Sequence, residues 1–287
     1  MNDFPRTLVG GVSMPRMIIG SNWFLGYSHC TPSKDKLIHA SFEDYRKLAD
    51  MLEVFLRAGV DAVMGLGRNE LLQAGVREAE QRVGRKCIIV STPSLPHDRC
   101  TAANGFAMDE IRRLLDAEAA CGATFCMPHT STTDDMVDNC AREVRHMAGV
   151  FAEMRQRGLV PGLSTHLPQT IVFTDETSLD AETYICIYNA MGFLMPLEVD
   201  WTQRIIHRAK KPVMTIKPMA SGQLRPFQAL TFVWSTLRPQ DMVTVGCMTP
   251  DEALEVIELS LSILERRSAD MQLQETRSKA TFKPTAA

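Results

Sequence analysis

Four of the seven histidines, His29, His97, His129 and His166, each follow a short apolar run. Imidazole titrates near neutral pH, so histidines gathered in one place suit proton transfer, and the neutral ring also binds divalent metals. Glu198 in MPLEVD and Lys217 in TIKP follow two further apolar runs. His29, His129 and His166 with the carboxylate of Glu198 make a nitrogen and oxygen donor set that suits Zn, Mn or Fe. A metal held there would polarise a substrate carbonyl or hydroxyl, or acidify a bound water. No HxH or HExxH occurs, so convergence depends on the fold alone. Lys217, at the end of a buried run, has two roles open to it. One is contact with a phosphate or another cofactor anion, with Arg225 close by, and this is preferred; the other is a lowered pKa and a Schiff base, as in a lyase.

A second group of residues reads as pocket wall. Asn22, Trp23, Phe24 and Tyr27 combine aromatic surface with polar tips, which suits a small hydroxylated or aromatic ligand. Arg68 is a candidate partner for a substrate carboxylate, and His97 sits where it can reach a ligand from a longer loop. His129 is followed by Thr130, Ser131, Thr132 and Thr133, a polar run suited to orienting a substrate.

The elements that must carry these residues are apolar runs of four to eight residues alternating with longer amphipathic stretches. This is the pattern of a parallel sheet wrapped by helices. Strands are expected at 16–21, 62–65, 87–91, 124–127, 162–164, 184–188, 213–217 and 242–245, and eight is the number that closes a (β/α)8 TIM barrel. VGGVSMPRMIIG reads as an N-terminal β-hairpin leading into the first barrel strand, placed to plug the bottom of the barrel. Helices are expected over SFEDYRKLADMLEVFLRAG with Ser41 as its start and Gly59 as its stop, over MDEIRRLLDAEAACG, over DDMVDNCAREVRHMAGVFAEMRQRG, and over TPDEALEVIELSLSILERR. Residues 1–267 are expected to form one barrel domain, and the polar stretch 268–287 a flexible tail. Barrel chemistry sits at strand C-termini, so His29, His129 and His166 point toward one cavity.

Composition narrows the partners. The 287 residues carry a net charge of −3 with no basic cluster, which argues against nucleic acid. No apolar stretch reaches the roughly 18 residues of a spanning helix, and the N-terminus lacks a signal-peptide pattern. A cytoplasmic protein with a small-molecule partner and no membrane contact is expected, its oligomeric state open. The eight cysteines include no CxxC pair and read as reduced thiols that pack as small hydrophobes. Cys30, beside His29, is the one placed for reactivity. Neither GxGxxG nor GxxxxGK is present, which disfavours a Rossmann domain.

The order of features resembles the aldo-keto reductase superfamily over residues 6–258. RTLVGGVSMPRMIIGSNWF is similar to its hairpin and first strand, and FLRAGVDAVMGLGRNELLQAGVREA to its second strand, loop and helix. AEMRQRGLVPGLSTH and IYNAMG resemble its fifth and sixth strands, and KPMASGQLRPFQALTFVWSTLRPQDMVTVGCMTPDEALEVIE its seventh strand through its last helix. The resemblance implies the barrel, a nicotinamide cofactor (NADP), and a tetrad of Asp, Tyr, Lys and His. Here Met64 stands at the Asp position, the segment 65–70 holds no Tyr, and Ser91, Thr92, Pro93 replace Ser-Thr-Lys. His129 alone matches. On the cofactor side Ser164, Lys217, Gly222 and Gly246 match, whereas Thr165, Ile185 and Ile216 replace residues that hold or stack on nicotinamide. Ordinary carbonyl reduction lacks its proton donor. The expectation is therefore a divergent barrel acting on a small polar metabolite by histidine acid/base or metal-assisted chemistry, of lyase, isomerase or hydrolase type. An NAD(P)H-dependent reductase with a substituted donor, and a non-catalytic binding barrel, stand as alternatives.

Overall fold

The computed structural model describes residues 3–271. The expected tail lies outside the described residues from 272 onward. The elements run β1 (Arg6–Val9), β2 (Val12–Pro15), β3 (Met17–Gly20), α1 (Pro32–Ser41), α2 (Tyr45–Arg57), β4 (Ala62–Gly65), α3 (Glu70–Val83), β5 (Ile88–Ser91), α4 (Met108–Ala120) and β6 (Ala123–Cys126). They continue with α5 (Thr130–Thr133), β7 (Val137–Asp138), β8 (Glu143–Val144), α6 (Met147–Gln156), β9 (Val160–Pro161), β10 (Leu163–Thr165), α7 (Gln169–Thr177), β11 (Tyr184–Ile187), α8 (Val199–Arg208), β12 (Val213–Ile216), α9 (Pro226–Thr236), β13 (Met242–Val245) and α10 (Pro250–Leu264).

One parallel sheet runs β10-β11-β12-β13-β3-β4-β5-β6-β9. Because β9 and β10 are two parts of one strand interrupted at Gly162, the nine segments make eight strands and the sheet wraps into a (β/α)8 barrel. Gly162 is needed there, since a Cβ would press on the Met127 side chain and the Thr183 backbone. The antiparallel pair β1–β2 supplies Val9 and Met14 to the barrel interior, where they pack with Ile18, Val90, Phe125 and Met242. The expected plug is thus present. A second core fills the space between strands and helices.

Two helices depart from expectation. Ser41 ends α1 rather than opening α2, whose cap is Asp44, its carboxylate accepting from the Arg46 N–H. The long helix expected across 134–158 is α-helical only in α6, with a 3-10 turn at Asp134–Met136. Upstream, the Asp138 carboxylate accepts from the backbone N–H groups of Cys140 and Ala141, and Arg142 adopts a positive φ of 56°. That closes the β7–β8 hairpin, because a short acidic side chain bonded to nearby backbone competes with the helical ladder.

Candidate active site

The C-terminal strand ends open into a cavity of about 760 Å³, within the usual range for small-molecule sites. His29 from the loop after β3, His129 after β6, His166 after β10 and Lys217 after β12 all line it. The three histidines share this cavity lining without gathering closely enough to hold one ion. Asn22, Trp23, Tyr27, Ser164, Gly222 and Gly246 line the same space. Gly246 lets the Trp23 indole lie against the backbone, where a Cβ would collide with it. Arg225 and Lys34 add charge at the rim, Lys34 lying 5.4 Å from the Trp23 ring centre.

His29 Nε2 receives two donors, the Asn22 amide at 3.1 Å and the Lys217 ammonium at 3.3 Å. Its Nε2 is therefore the acceptor and Nδ1 carries the proton of the neutral ring. His129 has the opposite tautomer: the Ser131 backbone N–H donates to Nδ1 at 3.2 Å, which leaves the Nε2 proton free to donate. His166 has its backbone fixed by Asp134, whose Oδ2 accepts from the His166 N–H at 3.1 Å and from the Thr130 hydroxyl at 2.6 Å, while Oδ1 accepts from the Thr165 hydroxyl at 2.5 Å. Asp134 was readable in sequence only as an acid in a helical first turn. The Thr130 to Asp134 spacing of four is the signal that ties it to the strand-end loop.

Burial dominates the electrostatics. It lowers the Lys217 ammonium to about 8. It lowers all three histidines too, with the nearby Lys217 charge as the next cause, and brings His166 down to about 4. The rings are thus neutral at pH 7 beside one poised amine.

His29 and Lys217 both hold left-handed backbone, with φ of 56° and 60°, as do Ala220 and Ser221 in the turn after β12. A hydroxyl from Ser221 to the Ser28 carbonyl pins the two loops together, and the Cys30 thiol donates to the Ser221 carbonyl at 3.3 Å. Neither Ser221 nor Lys34 was read from sequence as part of the site. At His29, Lys217 and Ser221, which line the cavity, the backbone geometry is held against local preference.

Four expected site residues lie elsewhere. Phe24 is buried in the core, its ring 6.0 Å from that of Phe42, because an aromatic side chain with no polar tip packs with the apolar interior. His97 bonds the Leu95 carbonyl through Nδ1 at 2.7 Å and Asp135 through Nε2 at 3.0 Å. Arg68 is ion-paired to Glu118 at 2.7 Å. Glu198 sits at the start of α8 and does not line the cavity. The metal centre expected from His29, His129, His166 and Glu198 does not form: among the described residues no three His, Cys, Asp or Glu groups gather to hold an ion. The reason is local, since Glu198 is remote, His29 Nε2 and His129 Nδ1 accept protein donors, and an ammonium stands where a cation would sit.

No protein-family model matches the chain, and no curated protein matches it in sequence. Solved structures do match in fold. A candidate aldo-keto reductase from Pseudomonas aeruginosa superposes with a TM-score of 0.64 at 15% identity, covering 92% of this chain and 99% of that one. The fold is that of the aldo-keto reductases. An aldo/keto reductase from Brucella melitensis gives 0.57 at 11% identity over 92% and 98% of the two chains, and aldose reductase from Giardia lamblia 0.56 at 11% over 90% and 89%. At the positions where the family resemblance implied contacts to nicotinamide, Thr165 spends its hydroxyl on Asp134, Ile185 has no polar group to offer a carboxamide, and Ile216 no ring to stack. The described helices include none long and apolar enough to cross a membrane.

Proposed function

We propose that this aldo-keto-reductase-like barrel transfers protons on a small polar metabolite, abstracting a proton next to a carbonyl, as an isomerase or lyase does. One observation carries the reading: His29 accepts through Nε2 and His129 through Nδ1 at one cavity, with Lys217 lining it 3.3 Å from His29. His29 Nε2 is the base, the His129 Nε2–H donates to the carbonyl oxygen, and the Lys217 charge stabilises the enolate that forms. No metal is needed in this scheme.

The test is loss of α-protons in D2O, followed by NMR, from pyruvate, 2-oxobutyrate and hydroxyacetone. Exchange above the buffer rate is expected, falling about 10²-fold or more in His29→Gln and His129→Gln. Exchange at the buffer rate throughout discards the reading.

A reductase is the second reading, favoured by the shared fold and by Ser164, Gly222, Gly246, Lys217 and Arg225 lining one cavity. NADPH fluorescence titration separates the two. Micromolar binding favours the reductase, and its absence together with absent exchange leaves a ligand-binding barrel.

A further inference from the structure

We propose that Lys217 acts as a covalent amine, condensing with the carbonyl carbon of a small aldehyde or ketone to form an imine at the barrel mouth. This rests on the acid/base reading of the same cavity and adds to it a bond and a substrate class.

The geometry supplies each requirement. Lys217 ends β12, lines the cavity, and has no carboxylate within ion-pair distance among the described residues. Its neighbours are neutral rings: His29 at 3.3 Å, with His129 and His166 close enough for its charge to lower both. Asp134, the carboxylate behind those two rings, is committed to Thr130, Thr165 and the His166 N–H. Glu252 and Glu255 line the cavity from α10, and Glu252 accepts from the Met248 N–H at 2.7 Å. A lysine so placed is partly deprotonated near neutral pH, which a nucleophilic amine requires. Its left-handed backbone, shared with His29, is the second and independent sign that Lys217 is held in place rather than packed by default.

The step balances without an oxidant or reductant. The Nζ lone pair forms the N–C bond as the carbonyl π pair moves to oxygen. That oxygen, held by the His129 Nε2–H, gains a proton from solvent, and His29 Nε2 takes one from Nζ, giving a carbinolamine. The nitrogen lone pair then forms C=N as the hydroxyl takes a proton from the His29 imidazolium and leaves as water. His129 stays neutral throughout, and the product is a protonated imine. The imine nitrogen then draws electrons from the adjacent C–H, which lowers the barrier to the proton abstraction assigned to His29.

The experiment is borohydride trapping of the full chain with pyruvate, hydroxyacetone and propanal, read by intact mass and by peptide mapping. One reduced adduct per chain, on Lys217, is expected from at least one of the three. It is lost in Lys217→Arg and retained in Lys86→Arg, with circular dichroism confirming that both variants fold. In parallel, the pH dependence of Lys217 acetylation should have its midpoint near 8, against about 10.4 for an ordinary lysine. Adducts confined to surface lysines, trapping undiminished in Lys217→Arg, or a midpoint at the ordinary value each overturn the proposal. Proton exchange without a trapped adduct keeps the acid/base reading and removes the imine. An adduct without exchange keeps the imine and removes turnover by proton abstraction.

Discussion

At the residue scale, the histidines and Lys217 restrain one another. Each proton added to the cluster raises the cost of the next, and burial has already set that cost high. His166 shows it most, held at about 4 against an ordinary 6.5. Its contribution to stability has a definite sign. Between pH 6.5 and 4 the unfolded chain binds a proton that the folded ring refuses, so stability is full above 6.5 and falls as the pH drops toward 4. The loss approaches about 1.4 kcal/mol per pH unit within that window. His166→Gln should therefore flatten the acid limb: from pH 7 to pH 5 the wild type should lose about 1 to 2 kcal/mol more in urea unfolding than the variant. Parallel curves for the two proteins would mean the ring is solvated and its pKa ordinary.

At the element scale, the site depends on how α4, β5 and the loop after β4 are clamped. Glu118 of α4 is 1% exposed, takes the Ser91 hydroxyl at 2.5 Å and pairs with Arg68 at 2.7 Å. Removing it leaves the buried Ser91 hydroxyl proton without an acceptor, although its oxygen still accepts from the Gly67 N–H at 3.3 Å, and leaves Arg68 without its anchor. Glu118→Ala should cost about 2 to 4 kcal/mol, measured by urea denaturation, whereas Arg68→Ala should cost less, because Arg68 is 51% exposed. Comparable costs for the two would show that the clamp is not what matters. Sequence made the barrel strands legible within about two residues, because four-residue apolar runs at strand ends have few alternatives. It made His29, His129 and His166 legible for the same reason. Arg68 and His97 were misplaced because their partners, Glu118 and Asp135, are 50 and 38 residues away. The β7–β8 hairpin and α1 were missed because local side-chain caps, Asp138 in one and Thr31 in the other, decide them against the apolar pattern.

At the scale of the whole molecule, chemistry and closure occupy opposite ends. The strand C-termini hold the cavity, and the N-terminal end is stoppered by the β1–β2 hairpin, whose Met14 is fully buried against the interior layer with Val9, Ile18 and Met242. If residues 3–271 unfold as one unit, damage to the plug must weaken the entire barrel while leaving the mouth unaltered. Met14→Ala removes a buried side chain that cannot be replaced by collapse of the surrounding strands, and should cost about 2 to 5 kcal/mol. Unfolding should remain a single transition seen alike by circular dichroism and by tryptophan fluorescence, to which Trp23 at the mouth, Trp201 and Trp234 contribute. Lys217 trapping at a temperature where the variant is folded should match the wild type. Two separated transitions would show that the plug and the mouth belong to different cooperative units, and a loss of trapping in the folded variant would show that the plug also shapes the site from across the barrel.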